Sequence, residues 1–384
     1  MANPIKPSGI GGQAVMEGVM MRNRTKYAVA VRKADGETVV NVKEYHSIVE
    51  KLPFLGWPFI RGAVNLVESM IVGMGTLMYS ANFADEEESK KNDGKAKKES
   101  AKPAAAENEP ATTEAPDAER SDAAKGEKSK AVMTPAMIGL TVTLSLVLTI
   151  ALFIMLPFAV TSLFERATGI ESAVVSSIME GVLRICIFVG YVALISRMNE
   201  IQRVFRYHGA EHKTINCIEH GLPLTVDNAR ASSKEHKRCG TSFMIFVMVI
   251  SILVFSIVNL FPLYTGDSRI LRFLIRFAVR LLLLPVVAGI SYEFLRLAGR
   301  SDNRIVNILS RPGMWMQALT TKEPDDKMLA VAITSVEAVF DWKAFLEGTP
   351  AEECATQTEV GEYLLEDDGS FTHTVTGFLN TAAK

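Results

Sequence analysis

The sequence predicts a mainly α, polytopic helical membrane protein with about four transmembrane helices, a small N-terminal β-hairpin region and a disordered linker. Three observations carry this. Four windows are apolar over about the 20 residues that a bilayer-spanning helix needs. One Asp-Gly dipeptide joins two partly alternating runs. One long stretch is made almost wholly of Lys, Glu, Ala, Asp, Ser and Pro.

In chain order, residues 1–50 form an N-terminal cytoplasmic region. No apolar run follows Met1, so no cleaved signal peptide is expected there. Tyr27–Lys33 and Glu37–Glu44 are joined through Ala34-Asp35-Gly36 and read as a hairpin. Residues 51–84 read as an amphipathic or interfacial helix, because Arg61, Asn65 and Glu68 make one polar stripe along an otherwise apolar segment. Residues 85–131 are the charged linker, too poor in apolar surface to fold. Residues 132–300 hold the spans: Ala136–Leu163, Ala173–Ile195, Ser242–Tyr264 and Phe277–Leu297. A backbone in lipid must satisfy its own hydrogen bonds, so each is a helix. Residues 301–347 form a C-terminal cytoplasmic helical region, in which Pro324-Asp325-Asp326 starts a helix running to about Phe345. Residues 348–384 read as a loose tail.

Lys/Arg bias sets orientation. The 197–241 connection carries Arg197, Arg203, Arg206, Lys213, Arg230, Lys234, Lys237 and Arg238, whereas the loop between the first two spans carries Arg166. Both termini and this segment are therefore expected in the cytoplasm, although Arg269, Arg272 and Arg276 lie in the connection on the other side. The net charge of -2 implies no basic face, and no nucleic-acid partner is expected. Cys186, Cys217, Cys239 and Cys354 form no CxxC pair and no disulfide-like spacing. The sequence leaves the oligomeric state open.

The segment with chemistry in it is Tyr207-His208-Gly209-Ala210-Glu211-His212-Lys213-Thr214, an H-x-x-E-H pattern. On a helix His208 and His212 lie one turn apart and can share a metal ion, as in the inverted zinc-protease motif. Glu211 beside them can take a proton from water activated by such an ion. A third ligand is expected from His236 or Cys239, which return to the same membrane face, and a thiolate would favour zinc or iron over magnesium. The expected cofactor is a divalent metal ion, zinc first. Glu219 and Glu17 are possible supporting acids around the ligands. The glycine-rich Gly11–Gly18 stretch matches no P-loop and reads as a tight turn. Against the metal stands a basic juxtamembrane loop binding anionic lipid headgroups. Glu180 and Arg184, four apart, read first as a structural pair within a span. A transporter using Glu180, Arg184, Arg280 and Glu293 ranks lower, since no broken-helix pair or inverted repeat is present.

Gly11–Arg22, Tyr207–Lys213, His236–Ser242 and the C-terminal block with Pro312-Gly313, Gln317 and Leu319–Asp325 resemble, in order, the bacterial YqhQ-like family of membrane proteins (domain of unknown function 1385). The resemblance covers nearly the whole chain except 85–130 and the end. It implies a membrane protein described as a predicted metal-dependent enzyme, and supplies no substrate. An acid commonly stands in the family where this chain has Ala330. The expected function is a metal-dependent enzyme, with hydrolysis of a peptide bond or lipid-linked ester at the cytoplasmic membrane face as the candidate reaction. The alternative is a membrane scaffold or assembly factor with a structural metal or none. The expected partners are membrane lipids, with a cytoplasmic protein as a further candidate.

Overall fold

A computed structural model describes residues 6–99, 135–169, 172–258, 261, 269–301, 303–365 and 371–373. The chain opens with four antiparallel strands, β1 Gly11–Val15, β2 Gly18–Arg22, β3 Lys26–Arg32 and β4 Thr38–Glu44. The expected hairpin is β3–β4, with Arg32 opposite Thr38 and Gly36 at φ 97°, a conformation glycine adopts without steric cost. The Gly11–Gly18 stretch is the β1–β2 hairpin, with Glu17 at its turn at φ 52°.

After a short helix, α1 (Ile48–Lys51), and a 3-10 turn (Pro53–Gly56) comes α2, Ile60–Glu99. The expected linker therefore begins differently: residues 85–99 continue α2, as their Ala, Lys and Glu content favours. The remainder, 100–134, lies outside the described residues. Glu68 on α2 holds the strand exit, accepting from Tyr45 Oη at 2.5 Å and Ile48 N at 2.7 Å.

Then follow α3 (Pro135–Ile150), a π-helical turn (Ala151–Met155), α4 (Leu156–Thr168), α5 (Ala173–Ile195), α6 (Asn199–Glu219), α7 (Val226–Ala231), α8 (Gly240–Val258) and α9 (Arg269–Ala298). Among the described residues four helical stretches are long and apolar enough to cross a membrane: Thr143–Thr168, Val174–Ile195, Gly240–Val258 and Phe277–Ala298. Their outward side chains, such as Leu144, Leu253 and Leu282, are exposed, as lipid-facing residues are. Helix α2 docks on this bundle. Its Gly62 lies so close to Gly289 of α9 that a Cβ would stand 2.8 Å from Gly289 Cα, and Arg61 grips Glu293 through two 2.6 Å bonds.

The C-terminal part holds α10 (Arg304–Thr320), α11 (Asp326–Glu337) and α12 (Trp342–Glu347). Asp325 caps α11 by accepting from Met328 N. The expected single helix to Phe345 is broken at 338–341, where Phe340 is fully buried and Asp341 caps a new helix at Lys343 N and Ala344 N. The tail read as loose contributes two strands. β5 (Gly361–Leu365) pairs with β4, and β6 (Phe371–His373) pairs with β5, giving the sheet order β1-β2-β3-β4-β5-β6. Residues 366–370 and 374–384 lie outside the described residues.

Both sheet faces are covered. Ala28, Ala30, Val40 and Val42 pack with Tyr207 and Ile218 of α6 and with Leu329 and Ala332 of α11. Val15, Val29 and Val31 face the other way and pack with Val72, Leu77 and Tyr79 of α2. Two buried faces explain why β3 reads as the unbroken apolar run Tyr27–Val31. Helix α6 is thereby the centre of the unit outside the spans, buried from Gly209 to Glu219 despite its polar sequence.

Candidate metal centre

Helix α6 sets His208 and His212 on one face, their rings 4.4 Å apart between centroids. Three of its side chains then capture the backbone at the end of α7 and just beyond it. Lys213 Nζ donates to Arg230 O and Ser232 O at 2.9 Å each. Asn216 Nδ2 donates to Ser233 O at 2.7 Å and Glu235 O at 2.9 Å, and His212 Nδ1 donates to Lys234 O at 2.6 Å. The loop so held delivers Cys239 to the start of α8, with Sγ 3.3 Å from His208 Nε2 and 3.1 Å from Thr241 Oγ1.

The other imidazole is fixed from α10. His208 Nδ1 lies 2.8 Å from Thr320 O. A carbonyl oxygen only accepts, so both histidines carry hydrogen on Nδ1 and turn Nε2 inward. One donor atom each from His208, His212 and Cys239 lies within 4.8 Å of the others. Zinc–nitrogen bonds of about 2.0 Å and zinc–sulfur bonds of about 2.3 Å put tetrahedral neighbours about 3.3–3.6 Å apart. The Cys239–His208 separation already has that value. Two imidazoles and one sulfur, each turned to a common point, fit a divalent metal of the zinc or iron class.

The electrostatics agree. Burial opposes charge on both Cys239 and His208. The neighbouring imidazoles nevertheless pull the Cys239 thiol well below its usual range, and Cys239 and Glu211 push His208 up. Both shifts have one geometric cause, the 3.3 Å contact between Cys239 Sγ and His208 Nε2. Burial holds the Glu211 carboxyl above its usual range, against the pull of His212 and His208 and a hydrogen bond from the Gly12 backbone. Its carboxylate stands 4.0 Å from His208 Nε2.

The remaining predicted site residues go elsewhere. Glu219 accepts from Ser8 N at 2.7 Å, from His236 Nε2 at 3.3 Å and from Arg238 Nη2. Burial would raise its carboxyl, but the His236 hydrogen bond and the Arg238 charge bring it down to about 2. His236 therefore turns its Nε2 to Glu219, with its ring 5.7 Å from that of His212. Glu17 is taken by the Arg203 guanidinium in a two-pronged contact and lies 3.5 Å from Tyr207 Oη.

Sequence reading missed the supports. Gln317, fully buried on α10, accepts from His236 N at 2.9 Å and donates to His236 O at 2.7 Å, clamping the loop that carries Cys239. Gly12 lets β1 reach Glu211, because a Cβ there would stand 2.8 Å from Glu211 Cγ. Gly209 lets α6 reach the 320–324 segment, since its Cβ would stand 2.0 Å from Lys322 O. Gln317 and Gly12 lie in the blocks that carry the family resemblance, but nothing local in the sequence marks their contacts.

A family model described as "Protein of unknown function (DUF1385)" matches residues 57–342. The chain is also 32% identical over 349 residues to a Bacillus subtilis (strain 168) protein described as "Uncharacterized protein YqhQ", covering 89% of this chain and 95% of that one. No solved structure matches. The model match runs from the start of the α2 region through all four spans, α6 and the Cys239 loop to the start of α12, and on these two likenesses the chain belongs to the YqhQ-like DUF1385 family.

Proposed function

We propose that this protein is a membrane-embedded metal-dependent hydrolase, with one divalent ion, zinc first, held by His208, His212 and Cys239 at the cytoplasmic face. The observation that carries the reading is the commitment of both Nδ1 atoms to backbone carbonyls, which leaves the two Nε2 atoms to converge with the Cys239 sulfur. Such outer partners are what orient ligating histidines. The Lys/Arg excess of 197–241 supports the cytoplasmic side.

The ion, when bound, would act as a Lewis acid toward water and a carbonyl. The chain supplies the rest. Glu211, with its carboxyl raised by burial, is suited to take a proton from attacking water and return it to the leaving group. Gly12 brings β1 close against that side chain. The substrate class is a peptide bond or a lipid-linked ester brought to the membrane surface.

The test uses full-length protein purified in detergent without a His tag. Mass spectrometry should find near one equivalent of zinc or iron, absent in His208→Ala and His212→Ala. Glu211→Gln should keep the metal and fail to complement a null strain.

A second reading has an observation of its own. His212 and Cys239 are almost fully enclosed, at 1% and 5% exposure, as suits an ion that joins α6 to the α8 loop. A scaffold or assembly factor with a structural metal, docking a cytoplasmic protein, would keep full complementation in Glu211→Gln and lose it with the metal.

A further inference from the structure

Inside the bundle, toward the ends of the spans remote from the histidines, Ser177, Glu180, Gly181 and Arg184 of α5, Ser251 and Phe255 of α8, and Arg280 of α9 line a cavity. At 1.5 Å per residue, Arg280 lies about 5 Å and Arg184 about 15 Å inside the remote ends of their spans. Two guanidinium groups meet one carboxylate here. Arg184 Nη2 donates to Glu180 Oε2 at 3.2 Å, and Arg280 Nη1 reaches the same oxygen at 3.5 Å.

The two arginines are used differently. Arg184 also donates from Nε to Phe153 O at 3.0 Å, in the π-helical turn, so its fork is bound to the protein. Arg280 has the 3.5 Å contact and a place over the Phe255 ring, 5.6 Å from its centre. Its side chain is 29% exposed, against 12% for Glu180. Among the described residues the cavity thus carries one positive charge more than its carboxylate balances. A charge in lipid is costly without a partner. The sequence of α9 leads toward it with Arg269, Arg272 and Arg276, one arginine every three or four residues, in the connection where the orientation rule expects few.

We propose that this cavity is a binding site for a phosphate oxyanion, with Arg280 as its principal ligand and Arg184 as the fixed charge behind it. Guanidinium forks match phosphate oxygens in geometry and charge. The depth of Arg280 is within reach of the headgroup level of the leaflet opposite the metal cluster. The phosphate is carried by a phospholipid headgroup there or comes as free inorganic phosphate. Glu180 competes for both arginines and sets the affinity.

The experiment has two arms on full-length protein. Native mass spectrometry during titration with phosphatidylglycerol reads lipid adducts. A thermal-shift titration with inorganic phosphate in lipid-free detergent reads the free anion. Binding in the first arm alone assigns the lipid, and binding in the second alone assigns the soluble anion. In the arm that binds, Arg280→Gln should weaken affinity about tenfold or more, the loss expected for a charge-assisted contact. Arg280→Lys should weaken it less. Glu180→Gln should tighten it, a reversed sign that a misfolded variant does not produce. No binding in either arm by protein with a cooperative melt, or equal affinity in wild type, Arg280→Gln and Glu180→Gln, overturns the proposal.

Discussion

Helices α5 and α6 follow one another and each carries a polar pair four residues apart, Glu180/Arg184 and His208/His212, yet the pairs do opposite things. On α5 the two side chains bond to each other, and the charge left over belongs to Arg280 from another helix. On α6 the two rings do not bond to each other. Each is tied by its outer nitrogen to a carbonyl from a different segment, and the inner nitrogens are left facing Cys239. Identical spacing therefore says only that two side chains share a face. What they do is decided by what the rest of the chain offers their second atoms.

The largest break in this comparison is expected at the sulfur. Cys239→Ser keeps size and polarity but removes the soft ligand, and bound zinc, measured by competition with a chelator, should weaken by more than about 100-fold. Next comes the clamp. Gln317→Leu leaves the buried N–H and C=O of His236 without partners, each costing about 1–3 kcal/mol, so melting should fall and metal affinity drop with it.

Acid should act through Glu219. Its folded carboxyl titrates near 2 against an ordinary 4.5, so the stability it contributes is fully present above about 4.5 and is lost as pH falls toward 2. Chemical denaturation across that window should show a slope that Glu219→Gln flattens.

The smallest effects sharpen the comparison through two glycines. In Gly209→Ala the new methyl meets the Lys322 carbonyl of a backbone that also holds Thr320, and about 1–3 kcal/mol of destabilisation should come with weaker metal binding. In Gly181→Ala on α5 the methyl meets Cγ1 of Ile252, the near end of a stiff β-branched side chain, so melting should fall there too. No change in metal content is expected.

The legible parts of the sequence were those with local causes. The spans announce themselves by length and composition, the β3–β4 hairpin by Asp35-Gly36, and the two histidines by their spacing. Which of His236 and Cys239 comes to lie beside the two histidines was not legible. It depends on backbone carbonyls at 230–235 being seized by Lys213, Asn216 and His212, and a carbonyl has no residue type. Nor did β5 show itself, because its partner β4 lies at the other end of the chain. The break before α12 follows from burying Phe340, a tertiary demand that overrode a helical pattern.

That pairing of the two chain ends has a consequence in time. Strands β1–β4 leave the ribosome before the spans, but the cover for one of their apolar faces is completed only by α11, and their neighbour β5 comes later still. At roughly 5–20 residues per second the nascent sheet waits on the order of tens of seconds, while four spans are inserted, before α11 exists. Until α6 and then α11 arrive, Ala28, Ala30, Val40 and Val42 lack their cover, and residues made late close a layer begun by residues made early.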